Sequence, residues 1–349
     1  MTKIRAFIQQ AGWPRVIIGI FLLSLFLVAP SVQVRVDTSI TNTLVRFGMN
    51  AVMVLAMVPM VQAGCGLNFG LPLGIIAGLL GAVLTIEIGF TGWAGFFTAI
   101  LIASAFAVVL GAGYGQLLNR VKGDEMMIAT YVGFSSVAFM CMMWLLLPLH
   151  SPNMVWGYGG TGLRTTISVE GYWLKILDKF LAIKITKYLV IPTGMLLFCA
   201  FLCILVWGFF RTKTGTALTA VGSNPDYARA SGIRIDRMRT ISVILSTWLG
   251  AVGILVYQQS FGFLQLYMGP FHMAFPAVAA ILIGGASVNK ASIPNVIIGT
   301  LLFQGILTMT PLVINNIIQT DMSEVIRIVV SNGMIVYALT RKIGARAAK

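Results

Sequence analysis

The sequence predicts an all-α, polytopic membrane protein with about ten spanning helices and cytoplasmic N- and C-termini. Of the 349 residues, 58% are hydrophobic and only 10% are charged, and the mean hydropathy is +0.92. A soluble domain carries about 25% charged residues. Here the deficit extends over the whole length, so we interpret residues 1–349 as one transmembrane domain. The apolar runs are continuous, as membrane-crossing helices require and as the alternating strands of a barrel do not.

Glycine, proline and charge mark the ends of the apolar runs. The first run, 16–29, follows Lys3, Arg5 and Arg15 like a signal peptide, but we interpret it as an uncleaved helix because nine further spans follow. The third and eighth spans contain glycines and prolines that could break a helix. The expected spans are 15–31, 43–62, 69–88, 93–118, 126–149, 188–210, 240–259, 272–287, 293–313 and 322–340.

The distribution of lysine and arginine predicts the orientation. With the N-terminus inside, most of the basic residues fall in cytoplasmic segments, and the formal charge of +14 is explained by topology. A basic patch interleaved with aromatic residues is absent from the sequence, so nucleic acid is not an expected partner. Lipid is therefore the expected surrounding solvent.

Two loops are long enough to have a function of their own. The extracytoplasmic loop, about 150–187, contains an amphipathic stretch around 173–181. Apolar side chains share one helical face there and charged ones another. This pattern favours a helix lying in the membrane interface, and the alternative is a docking surface for an extracytoplasmic partner.

The cytoplasmic loop, about 211–239, reads RTKTGTALTAVGSNPDYARASGIRIDRMR. Asn224 is a good N-cap, Pro225 suits the first helical position, and Gly232 can end a helix in the left-handed conformation. We therefore predict a short helix over 225–231, after a first turn around 216–221. Small side chains such as Ala220 and Ala228 suit an element that fits into a cleft of a partner.

Catalytic and cofactor signatures are missing from the sequence. It contains no GxxxxGK[ST] phosphate loop, no GxSxG and no HExxH, and the two histidines are far apart. The four cysteines form no CxxC pair. We expect no catalytic residue, no metal site and no cofactor bound by this chain. Acidic residues in mid-membrane are also scarce, which indicates that a partner supplies the driving energy.

The cytoplasmic loop resembles that of the ABC importer permeases for ribose-type sugars and nucleosides, a family related to the branched-chain amino acid permeases. These typically show an Arg-Thr-x-x-Gly start, a Gly-x-Asn-Pro centre and an Ala-Arg-x-Ser-Gly-Ile end. Looser similarity occurs at GCGLNFGLPLGIIAG, KGDEMMIATYVG and FPAVAAILIGGASV, where Asn68 stands in place of a usual aspartate. The matching loop residues are Arg211, Thr212, Gly215, Gly222, Asn224, Pro225, Ala228, Arg229, Ser231, Gly232 and Ile233.

The resemblance implies a non-catalytic, multi-pass permease subunit in the bacterial cytoplasmic (inner) membrane. It would pair with a second permease chain, identical or related, and receive solute from an extracytoplasmic substrate-binding protein. ATP-binding-cassette ATPase subunits, which carry the ATP and magnesium, would bind on the cytoplasmic side. The segment 215–232 would then be the coupling helix, with Gly215, Ala220, Gly222, Asn224, Pro225, Ala228, Arg229 and Gly232 seated against the ATPase.

Polar and aromatic residues near the spans are candidates for contact with a sugar-like solute. For each of them, helix packing is an equally good explanation. Within the family, a nucleoside, autoinducer or vitamin remains an alternative solute. A stand-alone secondary transporter and a membrane enzyme are alternative classes. The path candidates are Asn50, Gln62, Asn68, Tyr131, Gln258, Phe275 and Gln304.

Overall fold

A computed structural model describes residues 13–156 and 162–318, together with 325, 328, 329, 332 and 333. Eight helices in this part of the chain are long and apolar enough to cross a membrane. The elements are α1 Trp13–Val28, a 3-10 helix Ala29–Val32, α2 Val36–Leu55, α3 Met57–Gln62, α4 Leu71–Ile88, α5 Gly92–Arg120, α6 Glu125–Leu146, β1 Thr166–Ser168, α7 Ile176–Lys179, β2 Ile183–Lys184, β3 Val190–Ile191, α8 Thr193–Arg211, α9 Lys213–Ser223, α10 Pro225–Ala230, α11 Ile235–Phe261, β4 Phe263–Gln265, α12 Gly269–Ile283 and α13 Ile293–Ile318.

The all-α membrane fold predicted from the sequence is confirmed. The second expected span begins earlier than predicted, at Val36, and α2 and α3 together form a single candidate span. The irregularity between them lies at Ala56. It has a local cause, because Pro59 cannot donate a backbone hydrogen bond and its ring crowds the carbonyl of residue 55.

Helix α4 is unbroken, although its sequence is rich in glycine. The glycines permit close packing instead of breaking the helix. A Cβ atom at Gly74 would lie 2.6 Å from the carbonyl oxygen of Thr247, and one at Gly78 would lie 2.5 Å from that of Ala251. Helix α11 therefore approaches α4 at backbone distance, as small residues allow between membrane helices. With α2, these two helices form the buried centre.

The eighth expected span is a shorter helix than predicted. Helix α12 has 15 residues, about 22 Å at 1.5 Å per residue, which is less than the ~30 Å hydrocarbon core. It is followed by the non-helical stretch 284–292. The tenth expected span, 322–340, falls almost entirely outside the described residues, as do both termini, so their cytoplasmic placement stays a prediction.

The segment between α6 and α8, residues 147–192, is called the outer segment, following the predicted orientation. The helix expected over 173–181 is wrong: only Ile176–Lys179 is helical, and Lys175 has a left-handed backbone. The segment instead folds onto the helices. Trp173 and Leu177 are 1% and 2% exposed, and β1 pairs antiparallel with β4. Of the apolar face that suggested membrane contact, Trp173 and Leu177 are therefore core, whereas Phe180 and Leu181 are exposed.

Candidate functional site

The segment 211–239, called the inner segment, begins with a sharp reversal after α8. The Thr212 side chain caps α9 by accepting a hydrogen bond from the backbone N–H of Gly215 at 3.2 Å. A Cβ atom at Gly215 would lie 2.2 Å from the carbonyl oxygen of Phe209. Only glycine permits this close a turn, so α8 and α9 are joined by a tight connection of one residue, Thr212.

The short helix predicted at Pro225 is confirmed. Asn224 Oδ1 accepts a hydrogen bond from the backbone N–H of Tyr227 at 3.0 Å. At the other end Gly232 has φ +77°, and the N–H of Ile233 donates to the carbonyl of Ala228 at 3.0 Å. Both ends of α10 are thus closed by local hydrogen bonds. Its tip is exposed, with Tyr227 at 67%.

Gly222 fixes α9 to the membrane helices. A Cβ atom at 222 would lie 2.0 Å from the carbonyl oxygen of Gln62, and one at Gly64 would lie 3.1 Å from the Cα of Gly222. Gly64 also has a left-handed backbone, φ +75°. The inner segment therefore rests directly on the turn that ends α3, backbone on backbone.

Beside this contact lies a cavity of about 370 Å³. Its wall includes a buried ion pair between Arg239 on α11 and Glu125 on α6, whose side chains are 9% and 16% exposed. Arg239 Nε also donates to Cys65 Sγ at 3.3 Å, and burial raises the pKa of that thiol. Lys122 forms a second, exposed ion pair with Asp236 at 2.7 Å. These contacts tie α6 and α11 to the same turn.

Two non-helical stretches, 63–70 and 284–292, meet beside the cavity, and Gly64 and Asn289 from them line it. Gln62 Nε2 donates a hydrogen bond to the carbonyl of Ala291. A Cβ atom at Gly66 would lie 3.6 Å from Val288 Cγ1. Irregular backbone is tolerated inside a membrane protein where it is buried in protein or lines a cavity. A displacement of α9 would therefore act directly on the first stretch, and it would reach the second through the Gln62–Ala291 hydrogen bond.

The predicted path residues do not form one group. Asn68 is fully buried: its Nδ2 donates to Ser246 Oγ at 2.8 Å, and its Oδ1 accepts from Tyr114 at 3.1 Å. These bonds link the stretch 63–70 to α11 and α5. Asn50 Nδ2 bonds to the carbonyl of Arg46 on its own helix. Gln258 is fully buried, and neither of its amide atoms has a hydrogen-bond partner.

An aromatic cluster forms around Phe275. The centre of its ring lies 4.9 Å from that of Phe271 and 6.3 Å from that of Phe69. The ring centres of Phe271 and Phe134 are 4.5 Å apart. Tyr131, three residues before Phe134 on α6, is 61% exposed. Gln62 and Phe275 are partly buried and Gln304 is 5% exposed. Among the described residues, no cluster of histidine, cysteine and acidic side chains could hold a metal ion.

Sequence reasoning missed three contributors to this region. Gly64 was part of a matched motif, but its contact with Gly222 links positions far apart in the chain. Glu125 and Arg239 lie near the starts of two different spans. Their pairing depends on how those helices pack. An acid at the start of one span and a base at the start of another is a signal for such a pair, although many combinations satisfy it.

Residues 39–338 match the family described as branched-chain amino acid transport system / permease component. The autoinducer 2 import system permease protein LsrC of Enterobacter sp. (strain 638) is 28% identical over 201 residues, covering 54% of this chain and 54% of that protein. This chain therefore spans about half the length of that relative. The ribose import permease protein RbsC of Escherichia coli (strain K12) is 23% identical over 269 residues, 75% of this chain and 74% of the other.

Among solved structures, an ABC transporter of the metal-chelate type in an inward-facing conformation is similar at 13% identity. The TM-score is 0.46, and the alignment covers 94% of this chain and 98% of the other.

Proposed function

The chain belongs to the branched-chain amino acid transport system / permease component family, and from this premise we propose that it is the membrane-spanning subunit of an ATP-driven importer for a sugar-like solute. It is a multi-pass protein of the cytoplasmic membrane, as the match and the eight apolar helices require. Its proposed partners are ATP-binding-cassette ATPase subunits, a second permease chain and an extracytoplasmic substrate-binding protein. ATP and magnesium stay on the ATPase.

The observation that carries the proposal is the seating of the inner segment. An ATPase can drive transport only if its closure is transmitted to the membrane helices by a rigid element. Helix α10 is capped at both ends, its tip is exposed, and α9 rests on backbone at Gly222 and Gly64. We assign the tip, with Asn224, Pro225 and Arg229, to the ATPase contact. Gly215, Ala220, Gly222, Ala228 and Gly232 give the segment its shape.

For the path, we propose Tyr131 and Phe275 as aromatic contacts and Gln62 and Gln304 as polar contacts for the passing solute. Asn50 and Gln258 remain candidates, whereas the internal bonds of Asn68 argue for packing. The relatives are named for ribose and for autoinducer 2, so these two solutes are the first to assay. Specificity is expected to reside mainly in the binding protein.

Deletion of 224–231 tests the proposal. The expected result is normal membrane insertion, loss of the copurifying ATPase and loss of solute uptake. Gly208→Ala is the matched control, because this glycine lies on α8 next to open space. Retained ATPase and normal uptake in the deletion variant would contradict the coupling role. Solute movement by the purified chain alone, driven by an ion gradient, would contradict the importer assignment.

A further inference from the structure

The last part of the outer segment is a small antiparallel hairpin, residues 183–191, immediately before α8. Ile183 pairs with Ile191 and Lys184 with Val190, and the N–H of Ile185 donates to the carbonyl of Leu189 at 3.0 Å. Residues directly opposite one another in an antiparallel pair share a face, and successive residues alternate. One face therefore carries only branched aliphatic side chains, from Ile183, Ile185, Leu189 and Ile191.

That aliphatic face is open along its first strand, whereas Leu189 and Ile191 are partly buried. Ile183 and Ile185 are 54% and 59% exposed, and neighbouring Leu181 is 60% exposed. The exposure continues along α8, where Leu197, Phe201 and Ile204 point away from the protein core. The hairpin is held along its edge: the Thr41 side chain on α2 donates to the carbonyl of Tyr188 and accepts from the N–H of Val190. It is thus fixed at the ends of two spanning helices.

The opposite face and the hairpin tip carry positive charge. The guanidinium carbon of Arg35 lies 4.3 Å from the centre of the Tyr188 ring, and Lys187 Nζ lies 5.8 Å from it. Within the described part of the chain, neither these two cations nor Lys184 forms an ion pair. Asp178, the nearest acid before the hairpin in the sequence, is turned inward and bonds to Gln259 and Ser260. Among the residues that the structure describes, no carboxylate therefore pairs with these cations.

We propose that hairpin 183–191 is a membrane anchor that binds the phosphate groups of anionic phospholipids at the outer surface. The aliphatic face lies against the acyl chains, and Tyr188, Arg35, Lys184 and Lys187 stand at headgroup level. Aromatic and basic residues concentrate at this level in membrane proteins. A second copy of the chain is a poor occupant, because a two-fold contact would bring this positive patch against itself. The anchor does not depend on the proposed transport role.

Spin labels on the two faces test the proposal in vesicles of phosphatidylethanolamine and phosphatidylglycerol. Ile185→Cys samples the aliphatic face, and Thr186→Cys is the matched control on the opposite face. Cys141 and Cys203 are replaced by alanine, and the buried Cys65 and Cys199 stay in place. The label at 185 should be relaxed more by oxygen than by a water-soluble nickel chelate, and the label at 186 should show the reverse. Equal access of the chelate to both labels would overturn the proposal. Protection of position 185 only after addition of a binding protein would also overturn it, in favour of a protein partner.

Retention of phosphatidylglycerol tests the charge. Lys184→Gln and Lys187→Gln should each weaken binding roughly fivefold, since a cation near an anionic surface contributes about 1 kcal/mol. Lys187→Arg keeps the charge and should retain the lipid. Unchanged retention in the double variant Lys184→Gln/Lys187→Gln would show that these cations do not hold headgroups.

Discussion

The inner and outer segments are held to the same helices in different ways. The inner segment is closed by local hydrogen bonds at Thr212, Asn224 and Gly232, and it meets the core through backbone contact at Gly222. The outer segment is held by hydrogen bonds between distant residues. Its Asp178 carboxylate accepts from Gln259 and Ser260, and the N–H of Lys175 donates to the carbonyl of Gln259 at 2.7 Å.

This difference separates a part that can move as a unit from a part that cannot. An element whose hydrogen bonds are all local keeps its shape when the helices beneath it shift. This property suits the transmission of force. An element whose shape depends on side chains of the helix beneath it must move with that helix. We therefore expect substitutions over 212–232 to affect uptake before stability, and those in the outer segment to affect stability first.

The largest expected effect follows from a larger side chain at Gly222, where α9 contacts the turn after α3. Gly222→Trp should abolish uptake while the chain still inserts, because even a Cβ atom would lie 2.0 Å from the Gln62 carbonyl oxygen. Gly222→Ala should give a smaller but substantial loss, and Gly208→Ala should behave as the parent. Solute uptake at matched expression is the measurement. Normal uptake by Gly222→Trp would show that the two segments do not differ as described.

The next effect concerns the Arg239–Glu125 ion pair, which lies beside the contact of Gly222 with the turn after α3. Arg239→Met leaves the partly buried Glu125 without its partner. Such a loss costs about 3–5 kcal/mol for a fully buried pair, and the partial exposure of Glu125 reduces this cost. The expected result is a clear fall in the thermal unfolding midpoint of the purified protein. Adding Glu125→Leu should recover much of that loss, because the unpaired carboxylate is then gone. If the double variant is as unstable as the single one, the pair is not the source of the effect.

A smaller effect is expected in the outer segment. Asp178→Ala removes two hydrogen bonds to a charged acceptor, each contributing roughly 1.5–3 kcal/mol, although its partly exposed position reduces this contribution. Amide exchange should accelerate over 173–180 and stay unchanged over 225–230. Equal acceleration in both stretches would mean that the two segments are not independent.

The smallest effect is the loss of a cap. Asn224→Ala removes the bond to the Tyr227 N–H and should weaken α10 by about 1 kcal/mol. Exchange should accelerate over 225–230, with uptake reduced in part. Ser223→Ala is the control, because its hydroxyl bonds only to the carbonyl of Ala220 within its own helix. Identical behaviour of the two variants would remove the special role of the cap.

The same contrast explains what the sequence could reveal. Asn224, Pro225 and Gly232 encode their helix through bonds a few residues apart, so α10 was predictable to within a residue. The outer helix was not, because the period of Trp173 and Leu177 matched a helix whereas their burial depends on α11 and α5. The motif singled out Gly222 as an ATPase contact, which stays a prediction. Its backbone contact with Gln62 and Gly64 required the fold.

The pairing of β1 with β4 also sets an order of events during synthesis. Ile167 opposes Leu264, roughly 100 residues later in the chain. At about 5–20 residues per second, a ribosome needs roughly 5–20 s to make that stretch. The outer segment thus lacks the partner strand of β1 until α11 has been inserted. The inner segment can form its local hydrogen bonds as soon as it leaves the ribosome. The outer segment can therefore complete its fold only when β4 has been made. In a nascent chain stopped before β4, the outer segment would be open to proteases.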